Sequence, residues 1–379
     1  MRAAKPEVPG RDLEIDILKF VFTLVIFLYH AHKLQAVEGF IPRGYLSVEL
    51  FFLLSGYFMG RKLQSRDCPG TIPFLARKVS LIYPAFFVST LLAFVLRMVA
   101  LPHARLADWG RAFLLAIPEL SLLQMAGLKV GQSYNGVTWY ISAMILAMFV
   151  LYPLFCRFRS YFSSIGSLTL ALVCYSAISQ KFGTLNGVAP QWCGFCTYGI
   201  LRATAGLSLG VFLNDCVQRT KGLSVESAAG LLFVKLLKFS LLAFILLTMV
   251  NATKWKLPKS ADFVLVGFFF VFLLLVLSGI GRNRIFQSRV FRWCGPASLY
   301  LYLNHRGTLW FLTQIMPNAP FRQAIVIYVV GTLLSMLVCL LGASLLRRGF
   351  RFINRRCSQA KDSMPASASP PTATTSSNA

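Results

Sequence analysis

Ten apolar stretches of near-constant length alternate with short polar, basic segments along the chain. They cover residues 13–31, 44–60, 80–100, 137–155, 165–179, 196–213, 231–250, 261–280, 296–312 and 324–346. A helix rising about 1.5 Å per residue needs roughly 20 apolar residues to cross the hydrocarbon of a bilayer. The pattern therefore predicts an all-α polytopic membrane protein with about ten transmembrane helices. A weaker apolar run, 112–125, is interrupted by Pro118 and Glu119 and reads as an interfacial or re-entrant segment. Residues 1–12 form an N-terminal tail and 13–346 a membrane domain. Residues 347–379 form a tail that is first basic and then rich in Ser, Ala, Thr and Pro, a composition that buries too little to order itself.

Composition agrees. Of the 379 residues, 56% are hydrophobic and 13% charged, against about 45–50% and about 25% in soluble domains. That excess cannot be hidden in a water-soluble core of this size. The net charge of +25 would raise nucleic acid as a partner in a soluble chain, but here it marks topology, because cytoplasmic loops collect Lys and Arg. With both termini in the cytoplasm, basic clusters at Arg61 and Lys62, Arg77 and Lys78, Arg157 and Arg159, Arg282 to Arg292, and Arg347 to Arg356 all fall inside. The first span is too long for a secretory h-region of about 7–15 residues and no cleavage pattern follows it. With 13 acidic residues in all and no metal-ligand motif, no metal site is expected.

Ionisable residues within such spans are costly and mark function by default. The first span carries Asp16, Lys19, Thr23 and His30. At 100° per residue all four fall on one face, with Lys19 and His30 separated by about 16 Å along the axis. This stripe has to face protein or a water-filled cavity. Lys19 alone is equally explained by snorkelling with Asp16 as its ion-pair partner. His30 lies too deep for that and titrates near neutral pH.

The second span opens on Ser47-Val48-Glu49. A short loop makes the first two spans antiparallel neighbours, so Glu49 and His30 are expected at similar depth, the acid orienting the imidazole as a general base requires. Ser55-Gly56 reads as a close-packing position. Arg77 and Lys78 are suited to donor phosphates, and equally to plain topology marking. Trp139 opens the fourth span, where an aromatic belt is the commoner role. Tyr302 and His305, with Arg306, lie midway along the ninth span and are expected to contribute to a polar cavity. Cys193 and Cys196 form a C-x-x-C without the βαβ context of a redox motif.

Several of these residues fall into a known pattern. Asp16-Ile17-Leu18-Lys19 followed after ten residues by His30 resembles the Asp-x-x-Arg/Lys and Arg/Lys-x10-His signature of the acyltransferase-3 family of multi-pass membrane O-acyltransferases. Ser47-Val48-Glu49-Leu50-Phe51-Phe52-Leu53-Leu54-Ser55-Gly56 resembles that family's second signature. Trp139-Tyr140-Ile141-Ser142 and Tyr300-Leu301-Tyr302-Leu303-Asn304-His305 are similar to its later elements. Leu81 stands where members often carry a second basic residue before Ile-Tyr-Pro.

The resemblance implies an acyltransferase of the cell (inner or plasma) membrane with no bound cofactor. Its co-substrate would be acyl-CoA from the cytoplasm, the acyl group acetyl first among the candidates. Its acceptor would be a hydroxyl of a cell-envelope or secreted glycan, or of a lipid-linked saccharide. It assigns catalysis to His30, Glu49 and Lys19, and donor binding to Asp16, Lys19, Arg77 and Lys78. Contacts to the acceptor or the oxyanion would come from Tyr302, His305 and Trp139. The competing expectation is a transporter or flippase whose pathway the stripe lines, moving its substrate without changing its mass.

Overall fold

The computed structural model describes residues 12–362, apart from 35–39, 66–67, 102–104, 129–132, 221–222, 224, 283–285 and 287; side chains at 351 and 353–362 are likewise not described. The described residues are 78% helical with almost no sheet. Twelve helices are seen among the described residues: α1 Leu13–Ala31, α2 Ser47–Leu63, α3 Thr71–Val99, α4 Leu106–Leu120, α5 Trp139–Arg157, α6 Arg159–Phe162, α7 Ile165–Phe182, α8 Tyr198–Arg219, α9 Ala228–Asn251, α10 Ala261–Leu277, α11 Cys294–Ile315 and α12 Phe321–Asp362. Each of the ten apolar stretches is helical. Five of these helices, α3, α5, α8, α9 and α12 as far as Phe350, are long and apolar enough to cross a membrane. α9 and α12 bury little of themselves and turn mostly apolar side chains outward, as lipid-facing helices do. This is a helical membrane protein.

The end of α12 departs from the expected tail, and the 112–125 run has a structural role of its own. The expected tail from residue 347 begins as a continuation of α12, which stays helical to Asp362; residues 1–11 and 363–379 lie outside the described residues. The 112–125 run ends a helix of 15 residues, too short for a span, whose Glu119 is buried. Glu119 accepts hydrogen bonds from the backbone N–H of Tyr134 (2.7 Å) and Asn135 (3.1 Å) and from the hydroxyls of Ser133 and Thr138. A carboxylate with four donors is a loop organiser, and it fixes 133–138 over α11. There Asn135 Nδ2 donates to the Leu303 carbonyl (2.7 Å) and the Tyr302 hydroxyl donates to the Val137 carbonyl (2.9 Å).

Two helix pairs position everything else. α1 and α11 run parallel. Phe20 meets Trp293 (ring centres 4.8 Å), the Thr23 and Ser298 hydroxyls are 2.9 Å apart, and His30 meets His305 (5.3 Å). α2 and α8 also run parallel and touch backbone to backbone. Gly56 on α2 meets Gly210 on α8, while Gly60 lies against Val211 and Asn214 and Gly206 against Phe52, so each helix carries a G-x-x-x-G spacing along the seam. A Cβ on Gly56 would run into the Leu207 carbonyl, and one on Gly210 into the Leu53 carbonyl. In lipid, where apolar surface gains nothing by leaving the solvent, such close approach is a main source of helix affinity.

The upper end of the same seam holds a buried ion pair. Glu49 is paired with Arg202, and both side chains are almost fully buried. The Tyr175 hydroxyl of α7 donates to the other carboxylate oxygen (2.6 Å), and Arg202 Nη2 donates to the Tyr45 carbonyl (3.1 Å). A second buried centre, Asp262, ties α10 to the loop before α2 through Arg43 (3.0 Å) and Tyr45 (2.9 Å), and to Thr184 (2.6 Å) and the backbone N–H of Leu185 (2.9 Å) beyond α7.

Gly56→Ala is expected to destabilise the bundle by about 1–3 kcal/mol, the usual cost of overpacking. Gly267→Ala on α10, where an added Cβ meets nothing within 4 Å, should be neutral within about 0.5 kcal/mol. Thermal unfolding of the purified protein in detergent compares them. Glu49→Gln leaves Arg202 as an unpaired buried cation and should cost about 3–5 kcal/mol; an unchanged midpoint would contradict the seam described here.

Candidate active site

The stripe on α1 faces inward. Asp16 and Thr23 are buried, and Asp16 holds Lys19 at 3.6 Å. Thr23 donates back to the Lys19 carbonyl (2.8 Å) while its hydroxyl meets Ser298 of α11. His30, at the far end, is half-buried, with its Nδ1 sealed from solvent. The stripe is thus covered by α11 over its length, as a polar face in a membrane helix requires.

Three cavities follow one another along that stripe. The first, of about 520 Å³, opens at the end where α1 begins and is lined by Asp12, Asp16, Lys19, Arg61 and Arg282. The second, of about 300 Å³, shares Lys19 and Phe58 with it. Its polar groups are Lys19, Thr23, Ser55, Lys78 and Ser298, set among apolar walls. The third, of about 250 Å³, is lined by His30, Tyr29, Tyr45, Trp139 and Arg202. Tyr302 lines both the second and the third. Its ring stands between them, with Phe51 and Tyr140 packed against it at about 6 Å between ring centres.

The expected residues separate accordingly. Lys19 and Lys78, from α1 and α3, are brought into one cavity. Arg77 is exposed on α3 and lines none of the three. Trp139 lines the third cavity under the Arg202 guanidinium (5.6 Å) and is not confined to an aromatic belt. Ser55 faces the second cavity, 3.3 Å from the Tyr140 hydroxyl, whereas its neighbour Gly56 makes the α8 contact.

The expected His30–Glu49 pair is not formed. The depth argument holds, since both lie near the same end of the bundle, but α2 is rotated so that Glu49 points to α8. Its two oxygens are taken by Arg202 and Tyr175. What His30 meets is His305, from α11, with ring centres 5.3 Å apart. His305 is fully buried, and its Nδ1 lies 2.8 Å from the Tyr302 carbonyl.

Arg202 and Asp262 were not singled out from the sequence, and Arg61 and Arg282 were read there only as markers of topology. Arg202 carried a usable signal: it is the one charged residue in the first 17 positions of α8, and intramembrane charges are functional or paired. The other three sit at helix ends, where charges are common and carry no such signal. Cys193 and Cys196 lie opposite each other on a two-residue hairpin, Trp192–Cys193 with Cys196–Thr197, both as free thiols. Among the described residues no group of three or more His, Cys, Asp or Glu is placed to hold a metal.

A series of cavities through a helical bundle, with Lys19, Arg61 and Arg282 beside Asp12 and Asp16 at one end and the His30 imidazole further along, fits acyl transfer. Comparison with known proteins points the same way. Residues 12–344 match the acyltransferase-3 family, described as an acyltransferase domain. No curated protein and no solved structure matches the chain. The matched segment takes in all three cavities and both signature helices, and the chain belongs to the acyltransferase-3 family of membrane acyltransferases.

Proposed function

We propose that this protein moves an acyl group, acetyl first among the candidates, from cytoplasmic acyl-CoA to a hydroxyl of a cell-envelope or secreted glycan. It would cross the bacterial inner membrane ten times with both termini inside. The observation that carries the reading is the series of three cavities along the α1 stripe. Acyl-CoA is too large and charged to enter from lipid, so it comes through the mouth where Arg61, Arg282 and Lys19 meet its phosphates. The apolar second cavity takes the pantetheine arm, with Lys78 and Lys19 as its charged contacts and Asp16 holding Lys19. Arg77 stands one residue from Lys78 on the exposed face. The thioester comes to rest beside Tyr302, and the acceptor hydroxyl reaches it from the third cavity.

There His30 acts as general base. It takes the proton of the acceptor hydroxyl as the oxygen attacks the thioester carbonyl. When the C–S bond breaks, His30 returns that proton to the coenzyme A thiolate. Trp139 and Tyr302 contact the acceptor or the developing oxyanion, while His305, fully buried and lining none of the three cavities, stands behind His30. Glu49 serves the site through Arg202, which it holds against the wall of the third cavity.

His30→Ala should lower acetyl transfer by about 10²–10⁴-fold, the worth of general-base catalysis, with the protein still membrane-inserted. The measurement is mass spectrometry of envelope glycans from cells carrying either form; unchanged acylation, or glycan moved across the membrane without a change in mass, overturns the reading. Lys78→Ala should raise the KM for acetyl-CoA about tenfold, as loss of a charge-assisted contact does. Arg77→Ala should raise it less. Thioester-cleavage kinetics of the purified protein give both values.

A further inference from the structure

The imidazole pair contains two ring nitrogens that the fold leaves unsatisfied. His30 Nδ1 and His305 Nε2 are both sealed from solvent, and neither has a hydrogen-bond partner among the described residues. A buried polar atom without a partner is rare in a folded protein and calls for an explanation. The rings that carry them are 5.3 Å apart, centre to centre. Their planes are 30° apart and the two nitrogens do not bond to each other in the structure as it stands; a turn of the His30 ring is what would bring its Nδ1–H onto the His305 lone pair.

The protonation of His305 follows from its other nitrogen. Nδ1 lies 2.8 Å from the Tyr302 carbonyl and 3.2 Å from that of Leu301. Carbonyl oxygens only accept, so Nδ1 carries the hydrogen, and in the neutral ring Nε2 is left as a bare lone pair. Both carbonyls belong to the preceding turn of α11, so the ring is held by the helix that bears it. His30 Nε2, by contrast, is not among the buried unpartnered atoms, and His30 lines the third cavity. The pair is therefore asymmetric, with one ring anchored to the backbone and the other open to the cavity.

We propose that His305 is the positioning residue that sets the tautomer of His30. Its Nε2 lone pair accepts the Nδ1–H of His30, which leaves the His30 Nε2 lone pair facing the cavity, where a general base has to offer it. His305 thus fills, as a neutral group, the place that a carboxylate takes in many acid–base pairs. When His30 Nε2 takes the acceptor's proton, the imidazolium shares its charge through the Nδ1–H···Nε2 bond until that proton passes to the coenzyme A sulfur. No proton is gained or lost by the pair over the cycle. Arg306 on α11, and His32 and Lys33 after α1, lie near enough to act on the charge of His30. Tyr29 on α1 packs 4.9 Å from its ring, and Tyr328 on α12 packs against Phe27 one turn below. Among these neighbours no carboxylate is described, so His305 is the acceptor at hand.

This inference rests on His30 being the general base, and the test separates the two. Full-length protein in detergent is assayed for coenzyme A release from acetyl-CoA, with His30→Ala, His305→Leu, His305→Gln and His305→Asn compared with wild type. A side-chain amide at 305 reproduces one ring nitrogen or the other: Asn reaches the Nδ1 position and restores the bond to the Tyr302 carbonyl, while Gln reaches the Nε2 position and restores the acceptor facing His30. The expected result is a kcat loss of about 10²-fold for His305→Leu, the lower end of what general-base catalysis contributes, with KM for acetyl-CoA unchanged. His305→Gln should recover most of that loss and His305→Asn should not. Recovery by Asn and not by Gln would make His305 a purely structural residue and overturn the inference. Full kcat in His305→Leu alongside a dead His30→Ala would overturn it too, while leaving His30 as the base. Full kcat in His30→Ala would remove the general-base reading itself.

Discussion

Polar side chains inside apolar helices cannot be left to lipid, and that one constraint determines which helices of this protein stand side by side. The stripe of α1 needs a polar or cavity-forming partner along its whole length, and α11 supplies it, running parallel with Ser298 and His305 at matching heights. Glu49 needs a cation and finds Arg202 on α8. Once α2 is drawn to α8, Gly56 and Gly210 let the backbones meet. The space that remains between the α1–α11 pair and the α2–α8 pair is the cavity series.

The buried polar groups divide by how completely they are satisfied. Glu49 has a partner on each oxygen, Glu119 receives four hydrogen bonds, and Asp262 joins three segments of chain. Groups so saturated hold a frame, and removing one leaves its partners stranded in a low-dielectric interior. His30 and His305 are different, because each retains a buried nitrogen without a partner among the described residues, and His30 also lines a cavity. A group that is to accept and release a proton needs such a free position, and the saturated frame is what keeps it from collapsing onto a neighbour. The same logic explains why an acid expected to serve His30 serves the frame instead. Its two oxygens are fully employed by an arginine and a tyrosine.

Much of the site could be read along the chain. Asp16, Lys19, Thr23 and His30 fall on one helical face by angle alone, and the bundle buries that face. Lys78 and Tyr302 could be marked as polar groups at informative depths, and both line cavities. Arg202 was within reach of the same reasoning, since a charge deep in an apolar run always asks for a partner. Arg77 and Lys78, adjacent and chemically alike, could not be told apart, because a 100° step around the helix separates a cavity from the exposed face.

Hydrophobic period and charge spacing are local quantities, so the sequence alone determined the helices, their membrane character, the stripe and the family signatures. Rotation of one helix against another is set by contacts distant along the chain. Only the tertiary structure decided that Glu49 turns to Arg202, that His305 faces His30, and that three cavities lie in series with shared walls. The physical reason is that carboxylate, guanidinium and imidazole can each be satisfied by several partners. Which partner is taken depends on where glycines let two backbones touch, and that is settled by the packing of the whole bundle.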